Sequence, residues 1–167
     1  HNPRAQAAVR TLIERKDVAE RIRLSAISSL SQRSNLSAEY WRTLYTRVES
    51  DELRRAVVYA IAKMNTDDAQ AFLLTLARNQ SEPYAVREAA VSRIRQSAPV
   101  ADLYRLLVEA DSRSMRLSLL GAIAARPEPE ATDRLIEVAK TSTDPEVRNA
   151  AIRSLGQSPR KDDPKVV

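Results

Sequence analysis

The chain contains no cysteine, two glycines, one tryptophan and one phenylalanine, and its single histidine is His1. The lack of cysteine excludes disulfides, thiolate nucleophiles, cysteine-ligated zinc and iron–sulfur clusters. A lone terminal histidine excludes a serine–histidine–aspartate triad and histidine-rich metal sites. So few glycines argue against dinucleotide-binding folds and phosphate-binding loops, which need the backbone freedom of glycine. We therefore expect neither a metal nor another cofactor.

Long apolar segments are also missing, because no run approaches the roughly 20 residues of a membrane-spanning helix. We expect no membrane insertion by this segment and no signal peptide. The formal net charge of +5 raises nucleic acid or an acidic membrane surface as partners. A chain without cysteine is compatible with the cytoplasm or the periplasm, so the compartment stays open.

An internal repeat is the main signal in the sequence. Five segments read aliphatic–Arg–x–x–apolar–aliphatic–x–x–aliphatic, and they begin at Ile22, Leu53, Val86, Met115 and Val147. The starts are 29 to 33 residues apart. Further apolar columns lie upstream at the helical spacing i, i+3, i+4, as Val9, Leu12 and Ile13 do in the first unit. The pattern of apolar positions therefore predicts two amphipathic helices in each unit, which we call helix A and helix B in chain order.

Prolines and acidic residues mark the expected helix starts. At the first helical position the backbone N–H has no partner within the helix, so a proline there costs no hydrogen bond. Carboxylates at the same place are stabilised by the partial positive charge of the helix N-terminus. We predict an all-α domain over residues 1–157. Its helix pairs are expected at residues 3–33, 37–64, 67–97, 99–125 and 129–157. Residues 158–167 are expected to form a loop and the start of a further repeat at Asp163, or a C-terminal tail. Because the chain begins without Met, we expect it to be a piece of a longer protein.

The segment DPEVRNAAIRSLG at residues 144–156 resembles the second-helix signature of HEAT repeats, including the short bacterial type and the HEAT-like repeats of bilin lyases. The first and third repeats match well, whereas Val57 and Leu119 replace the usual small alanine in the second and fourth. The resemblance covers residues 3–157 and implies a right-handed α-α superhelix, a HEAT-like solenoid of five pairs with a truncated sixth.

The arginine column of the B segments has two interpretations. Five guanidinium groups in register suit a phosphate track. However, an acidic residue precedes each arginine, and the resemblance to HEAT repeats implies a structural Asp–Arg ladder between neighbouring repeats. We favour the ladder, which also accounts for much of the positive charge. Its members are Asp17 and Arg23, Asp51 and Arg54, Glu82 and Arg87, Asp111 and Arg116, and Asp144 and Arg148.

A partner-binding groove is expected on the concave side, which the B helices line in HEAT solenoids. Offsets 0, +4, +5 and +8 from the opening aliphatic residue are apolar and should face the core, so offsets +2, +6 and +10 should face the groove. The candidate contact residues are Leu24, Arg55, Tyr59, Lys63, Glu88, Ser92, Gln96, Leu117, Asn149 and Arg153. Polar side chains interspersed with leucine and tyrosine favour binding of a protein segment. The alternative is that this helix face is exposed to solvent and binds no ligand.

These observations predict a non-catalytic protein–protein interaction or scaffold module of a larger bacterial protein, monomeric or weakly self-associating. Nucleic-acid binding of the HEAT-like DNA glycosylase kind is the main alternative. Against it, Glu88 interrupts the basic row, and Trp41 and Tyr45 fall in columns expected to be core. An enzyme similar to bilin lyases is a third alternative. The identity of the partner stays open.

Overall fold

The structure, a computed structural model, describes residues 3–33, 36–159, 161–162 and 164. Regular secondary structure in these ranges consists of ten helices and no strands, which confirms the all-α prediction. The helices are α1 (Pro3–Glu14), α2 (Glu20–Arg33), α3 (Ala38–Arg47), α4 (Asp51–Ala62), α5 (Asp67–Arg78), α6 (Tyr84–Ile94), α7 (Val100–Glu109), α8 (Arg113–Ala124), α9 (Pro129–Thr141) and α10 (Pro145–Gln157). Most of the expected start of a further repeat at Asp163 lies outside the described residues.

Each predicted A/B pair is present, and the helix ends differ from the predicted ends by at most three residues. Side-chain caps fix many of the starts. Ser37, Ser50, Thr66 and Ser112 each accept a hydrogen bond from the backbone N–H three residues later. Asp144 accepts from two backbone N–H groups at the start of α10. These caps satisfy helix donors that have no partner within the helix.

Asn65 turns the chain after α4. Its φ of 48° lies in the left-handed region, which asparagine enters more readily than most residues that carry a side chain. Thr66 then caps α5, so the connection between the two pairs needs only four residues, 63–66. Short connections of this kind keep consecutive helices in contact.

The core is built from the apolar columns. In the first upstream apolar column, the residues of the second to fifth repeats are buried, namely Trp41, Leu73, Leu103 and Leu135. The opening aliphatic residues of the B helices in the same repeats are buried as well, namely Leu53, Val86, Met115 and Val147. Trp41 and Tyr45 therefore pack in the core, as their column predicts. The tyrosine ring also packs edge to face against Phe72, with ring centroids 5.8 Å apart.

The chain divides into two compact units, His1–Ile94 and Arg95–Val167. In the first unit, α1 packs on α2, α3 on α4 and α5 on α6, and the B helices α2, α4 and α6 lie side by side. In the second unit, α7 packs on α8 and α9 on α10, and the B helices α8 and α10 are neighbours. Each unit thus repeats the same arrangement of adjacent helix pairs.

Two positions that the periodicity assigns to the core are exposed, so the prediction was wrong there. Ile22, at offset 0 of the first repeat, is 48% exposed, and Ile152, at offset +5 of the fifth, is 54% exposed. Within each unit, α2 packs mainly on α1 and α4, and α10 on α8 and α9, whereas α4 packs on α2, α3, α5 and α6. Within its unit α6 also packs on two helices, yet its whole apolar stripe is buried, so the exposure depends on which side of a helix its neighbours cover.

Candidate partner-binding face

We call the surface formed by offsets +2, +6 and +10 of the B helices the B-helix face, and consider it in each unit by itself. None of its ten predicted residues is buried in the core. Those that are half-buried are Leu24, Arg55, Tyr59 and Leu117, and those that are exposed are Lys63, Glu88, Ser92, Gln96, Asn149 and Arg153. Gln96 lies in the turn after α6 instead of within a helix, because α6 ends at Ile94.

Tyr59 is the centre of a cationic cluster in the first unit. The Arg93 guanidinium carbon lies 4.4 Å from the centroid of the Tyr59 ring, within cation–π distance. Arg55 lies one turn earlier on the same helix, α4. Its guanidinium lowers the pKa of Tyr59 from its ordinary value, because a cation beside the hydroxyl favours the phenolate, while burial acts in the opposite direction.

A cavity of about 490 Å³ opens beside this cluster, between residues of α2, α4 and α6. Its lining includes Ile27, Ser28, Ser31, Tyr59, Lys63 and Arg93. The Lys63 ammonium lies 3.4 Å from the Ser31 hydroxyl, so it bridges the two B helices α2 and α4. Sequence reasoning predicted Tyr59 and Lys63 but missed Arg93. Arg93 sits at offset +7 of its own helix, and only the packing of α6 beside α4 brings it to the tyrosine.

The second unit has a different cavity, of about 730 Å³. Predicted face residues Gln96 and Leu117 line it, together with Gly121 and Arg126. Gly121 occupies the column that holds Tyr59 in the second repeat, so the aromatic wall is replaced by backbone. The Arg126 guanidinium donates to the Gln96 carbonyl and pairs with Glu128 at 2.9 Å, which largely neutralises its charge. Asn149 and Arg153 lie exposed on α10 and do not line this cavity.

The arginine column caps the A helices. Within one pair, the arginine side chain donates to a carbonyl at the C-terminal end of the A helix: Arg23 to Ile13 (2.7 Å), Arg54 to Val48 (3.4 Å), Arg116 to Ala110 (3.0 Å) and Arg148 to Ser142 (3.5 Å). Such carbonyls have no partner within the helix, and a cation favours this end of the helix dipole.

Contacts with carboxylates of the following repeat differ from the predicted ladder. Arg23 pairs with Glu49, its Nη2 lying 3.1 Å from Oε2, whereas Asp17 pairs with Arg15. Asp51 lies in the first turn of α4. Glu49 lies four residues before the opening aliphatic residue of its B helix, as the predicted ladder members Glu82 and Asp111 do, whereas Asp51 lies only two residues before it.

The second and fourth repeats also form an ion pair with a carboxylate of the following repeat. The second repeat uses its column arginine, and the fourth uses an arginine outside the column. Arg54 Nη1 lies 3.8 Å from Glu82 Oε2, and the Tyr45 hydroxyl donates to that oxygen at 2.6 Å. Before α10, Arg113 instead of Arg116 reaches Asp144, with Nε 2.9 Å from Oδ2. The Arg113 hydrogen bond lowers the pKa of Asp144 from its ordinary value.

The column arginines do not present one continuous cationic track. Arg23 and Arg87 are buried, with 3% and 7% exposure, Arg54 and Arg116 are half-buried, and Arg148 is exposed. The buried members are poorly placed for phosphate contacts, which require the guanidinium at the surface. Asp111 is exposed in the turn before α8.

The comparisons with known proteins agree with this geometry. The family model for HEAT repeats matches residues 100–167, which include α7 to α10. This part of the chain is therefore similar to HEAT repeats in sequence as well as in its paired helices. The helix pairs of residues 3–94 have apolar residues and an arginine at the same repeat positions as the matched part. HEAT repeats generally mediate protein–protein interaction or scaffolding, and the family is generally non-catalytic. No curated protein and no solved structure matches the chain.

Among the residues that the structure describes, no three histidine, aspartate or glutamate side chains are grouped so as to hold a metal ion. In the same residues, none of the repeat helices combines the length and the apolar character needed to cross a bilayer.

Proposed function

We propose that this chain is a non-catalytic module that binds a segment of a protein partner along its B-helix face. The observation that carries the proposal is in the first unit, where α2, α4 and α6 lie side by side and leave a lined cavity on that face. The pair Tyr59 and Arg93 forms one wall of the cavity. Tyrosine and arginine are the residue types that most often dominate binding energy at protein interfaces.

The composition of the face supports a protein segment as the ligand. Half-buried Leu24 and Tyr59 supply apolar area, while Ser92 and Lys63 supply hydrogen-bonding groups around it. An apolar centre with polar surroundings is the usual arrangement of transient interfaces. A nucleic-acid track would instead require basic side chains and aromatic platforms in several consecutive repeats. In this chain the basic row is interrupted, because Glu88 occupies in the third repeat the offset that Arg55 occupies in the second.

A peptide selection tests the proposal. Dodecapeptides would be selected by phage display on the full chain, and their binding sites mapped by amide shifts in the isotope-labelled protein. We expect the shifts to cluster on α2, α4 and α6. Ser92→Trp should weaken binding by about tenfold or more, because the indole fills the exposed face of α6.

Thr75→Trp is the matched control. Both residues are exposed hydroxyl side chains bonded to a backbone carbonyl of the preceding turn, but Thr75 lies on the A helix α5. Equal losses in the two variants, or peptide shifts confined to the A helices, would contradict the proposal. Salt-sensitive binding of duplex or single-stranded DNA tighter than a few micromolar would favour the nucleic-acid alternative instead.

A further inference from the structure

The cavity beside Tyr59, which we call the Tyr59 pocket, is lined by hydrogen-bond donors. Lys63 and Arg93 contribute donors with no acceptor capacity, and the Ser28 hydroxyl, which accepts from Gln32 Nε2, can orient its hydrogen inward. The Ser31 hydroxyl donates to the Ser28 backbone carbonyl. No aspartate or glutamate is among its lining residues. A ligand that satisfies this set must supply acceptors, and a negative charge would gain most.

The two cations of the Tyr59 pocket are not neutralised by nearby carboxylates. In the part of the chain that the structure describes, Lys63 bonds a neutral hydroxyl and Arg93 stacks on a ring, and neither forms an ion pair. Among exposed arginines elsewhere, Arg47 pairs with Glu14 and Arg113 with Asp144, whereas Arg95 and Arg153, like Arg93, form no ion pair in the described part of the chain. The neighbouring Arg55 is also attracted by Glu52 and Glu88, so the unmatched charge is concentrated on Lys63 and Arg93.

The remaining lining of the pocket is apolar. Ile27 and Ala60 are buried, with 1% and 4% exposure, and they line the pocket together with the cations. A carboxylate on a short aliphatic stem matches this combination, since its methylenes can contact Ile27 and Ala60 while its oxygens meet the cations. Contact with low-dielectric walls also strengthens the ion pairs relative to bulk water.

We infer that the Tyr59 pocket binds a glutamate or aspartate side chain, so that the module selects acidic peptide segments. The inference rests on the proposed function and adds the chemistry of the partner. It also assigns Arg93, which lies off the predicted face, as a contact residue. Because Lys63 and Arg93 line the same cavity, a carboxylate bound there is attracted by both charges, which gives the pocket its preference over neutral side chains.

The test uses the full chain and fluorescein-labelled hexaglutamate, with hexaserine and hexalysine as comparison peptides. We expect hexaglutamate alone to give a saturable anisotropy change, and its amide shifts to centre on Ser31, Tyr59, Lys63 and Arg93. Lys63→Glu and Arg93→Gln should each weaken this binding by about tenfold or more. Thermal unfolding followed by circular dichroism checks that both variants stay folded.

Lys140→Glu is the matched charge control, because Lys140 is exposed on α9 in the other unit. It makes the same change in net charge as Lys63→Glu and should alter binding by about twofold or less. Equal losses in the two lysine variants would show non-specific attraction to a basic protein and overturn the inference. Amide shifts outside the pocket, no binding of hexaglutamate, or tighter binding of oligodeoxythymidine would overturn it too.

The two proposals fail in different ways. If display-selected peptides bind α2, α4 and α6 but hexaglutamate does not, the acidic specificity is wrong and the proposed function stands. If no selected peptide binds this face, the proposed function is wrong, and the inference falls with it unless hexaglutamate still binds the pocket.

Discussion

Single residues on the B-helix face differ sharply between repeats. Gly121 stands in the column where the second repeat has Tyr59, and it lies inside α8. A Cβ built on Gly121 meets no atom within 4 Å outside its own helix backbone, so a methyl group fits without strain. The glycine therefore carries the entropic cost of a flexible residue in a helix without a close contact that requires it.

Gly121→Ala should raise the free energy of unfolding by about 0.5–1 kcal/mol, because alanine loses less backbone entropy when the helix forms. Urea denaturation followed by circular dichroism measures the change. Ala71→Gly is the reverse control, since Ala71 is exposed in the middle of α5 and should lose a similar amount. An unchanged or lowered stability of Gly121→Ala would mean that the glycine backbone is needed at that position.

At the scale of elements, one arginine connects three segments of the first unit. Arg23 on α2 donates to Ile13 at the end of α1 and pairs with Glu49 in the turn before α4. Arg23 is nearly fully buried, whereas the Glu49 side chain is 44% exposed. The bond from Arg23 lowers the pKa of Glu49 from its ordinary 4.5 to about 2.

Glu49→Gln should lower the free energy of unfolding at neutral pH, with a difference that shrinks under acid. Because the folded pKa of Glu49 is lowered, its stabilising effect is fully present above pH 4.5 and is lost as pH falls towards about 2. Solvent screening at the half-exposed carboxylate reduces the size of the effect. Urea midpoints of both proteins from neutral pH to about pH 3 measure the difference.

The control repeats Glu49→Gln in an Arg23→Gln background. Without the guanidinium, the substitution should no longer produce a difference that depends on pH in this range, because the charged form of Glu49 has lost its partner. A pH-dependent difference of the same size in both backgrounds would show that Arg23 is not its cause.

At the scale of the whole molecule, contacts run mainly between helices that are close in sequence. In the second unit, α9 packs on α10, α8 and α7. The stability of a repeat protein is approximately the sum of the stabilities of its single repeats and of the interfaces between neighbouring repeats. A defect in one repeat should therefore destabilise mainly that repeat and its neighbours.

Leu135→Ala, which truncates a fully buried side chain of α9, tests this locality. We expect a loss of about 2–5 kcal/mol within the second unit. Amide hydrogen exchange should speed up in α8, α9 and α10 and change little in α1 and α2. An equal increase in every helix would show that the chain unfolds as one cooperative body.

The fold was predictable to a large extent because each helix needs only local information. A period of about 30 residues with apolar positions at i, i+3 and i+4 specifies amphipathic pairs, and Ser50, Thr66 and Asp144 mark starts by their capping chemistry. The periodicity was wrong at Ile22 and Ile152 because burial depends on which side of a helix its neighbours cover, and the sequence of the helix does not state this.

Helical periodicity in the sequence was enough to predict which face of each B helix points away from the core, and so to place Tyr59 and Lys63 on one surface. Only the tertiary structure brought Arg93 over Tyr59 and paired Arg23 with Glu49 in place of Asp17. The physical reason is the range of the interactions. Helical periodicity orients side chains about one axis, whereas ion pairs and cation–π contacts form between side chains of different helices, whose offset is set by packing.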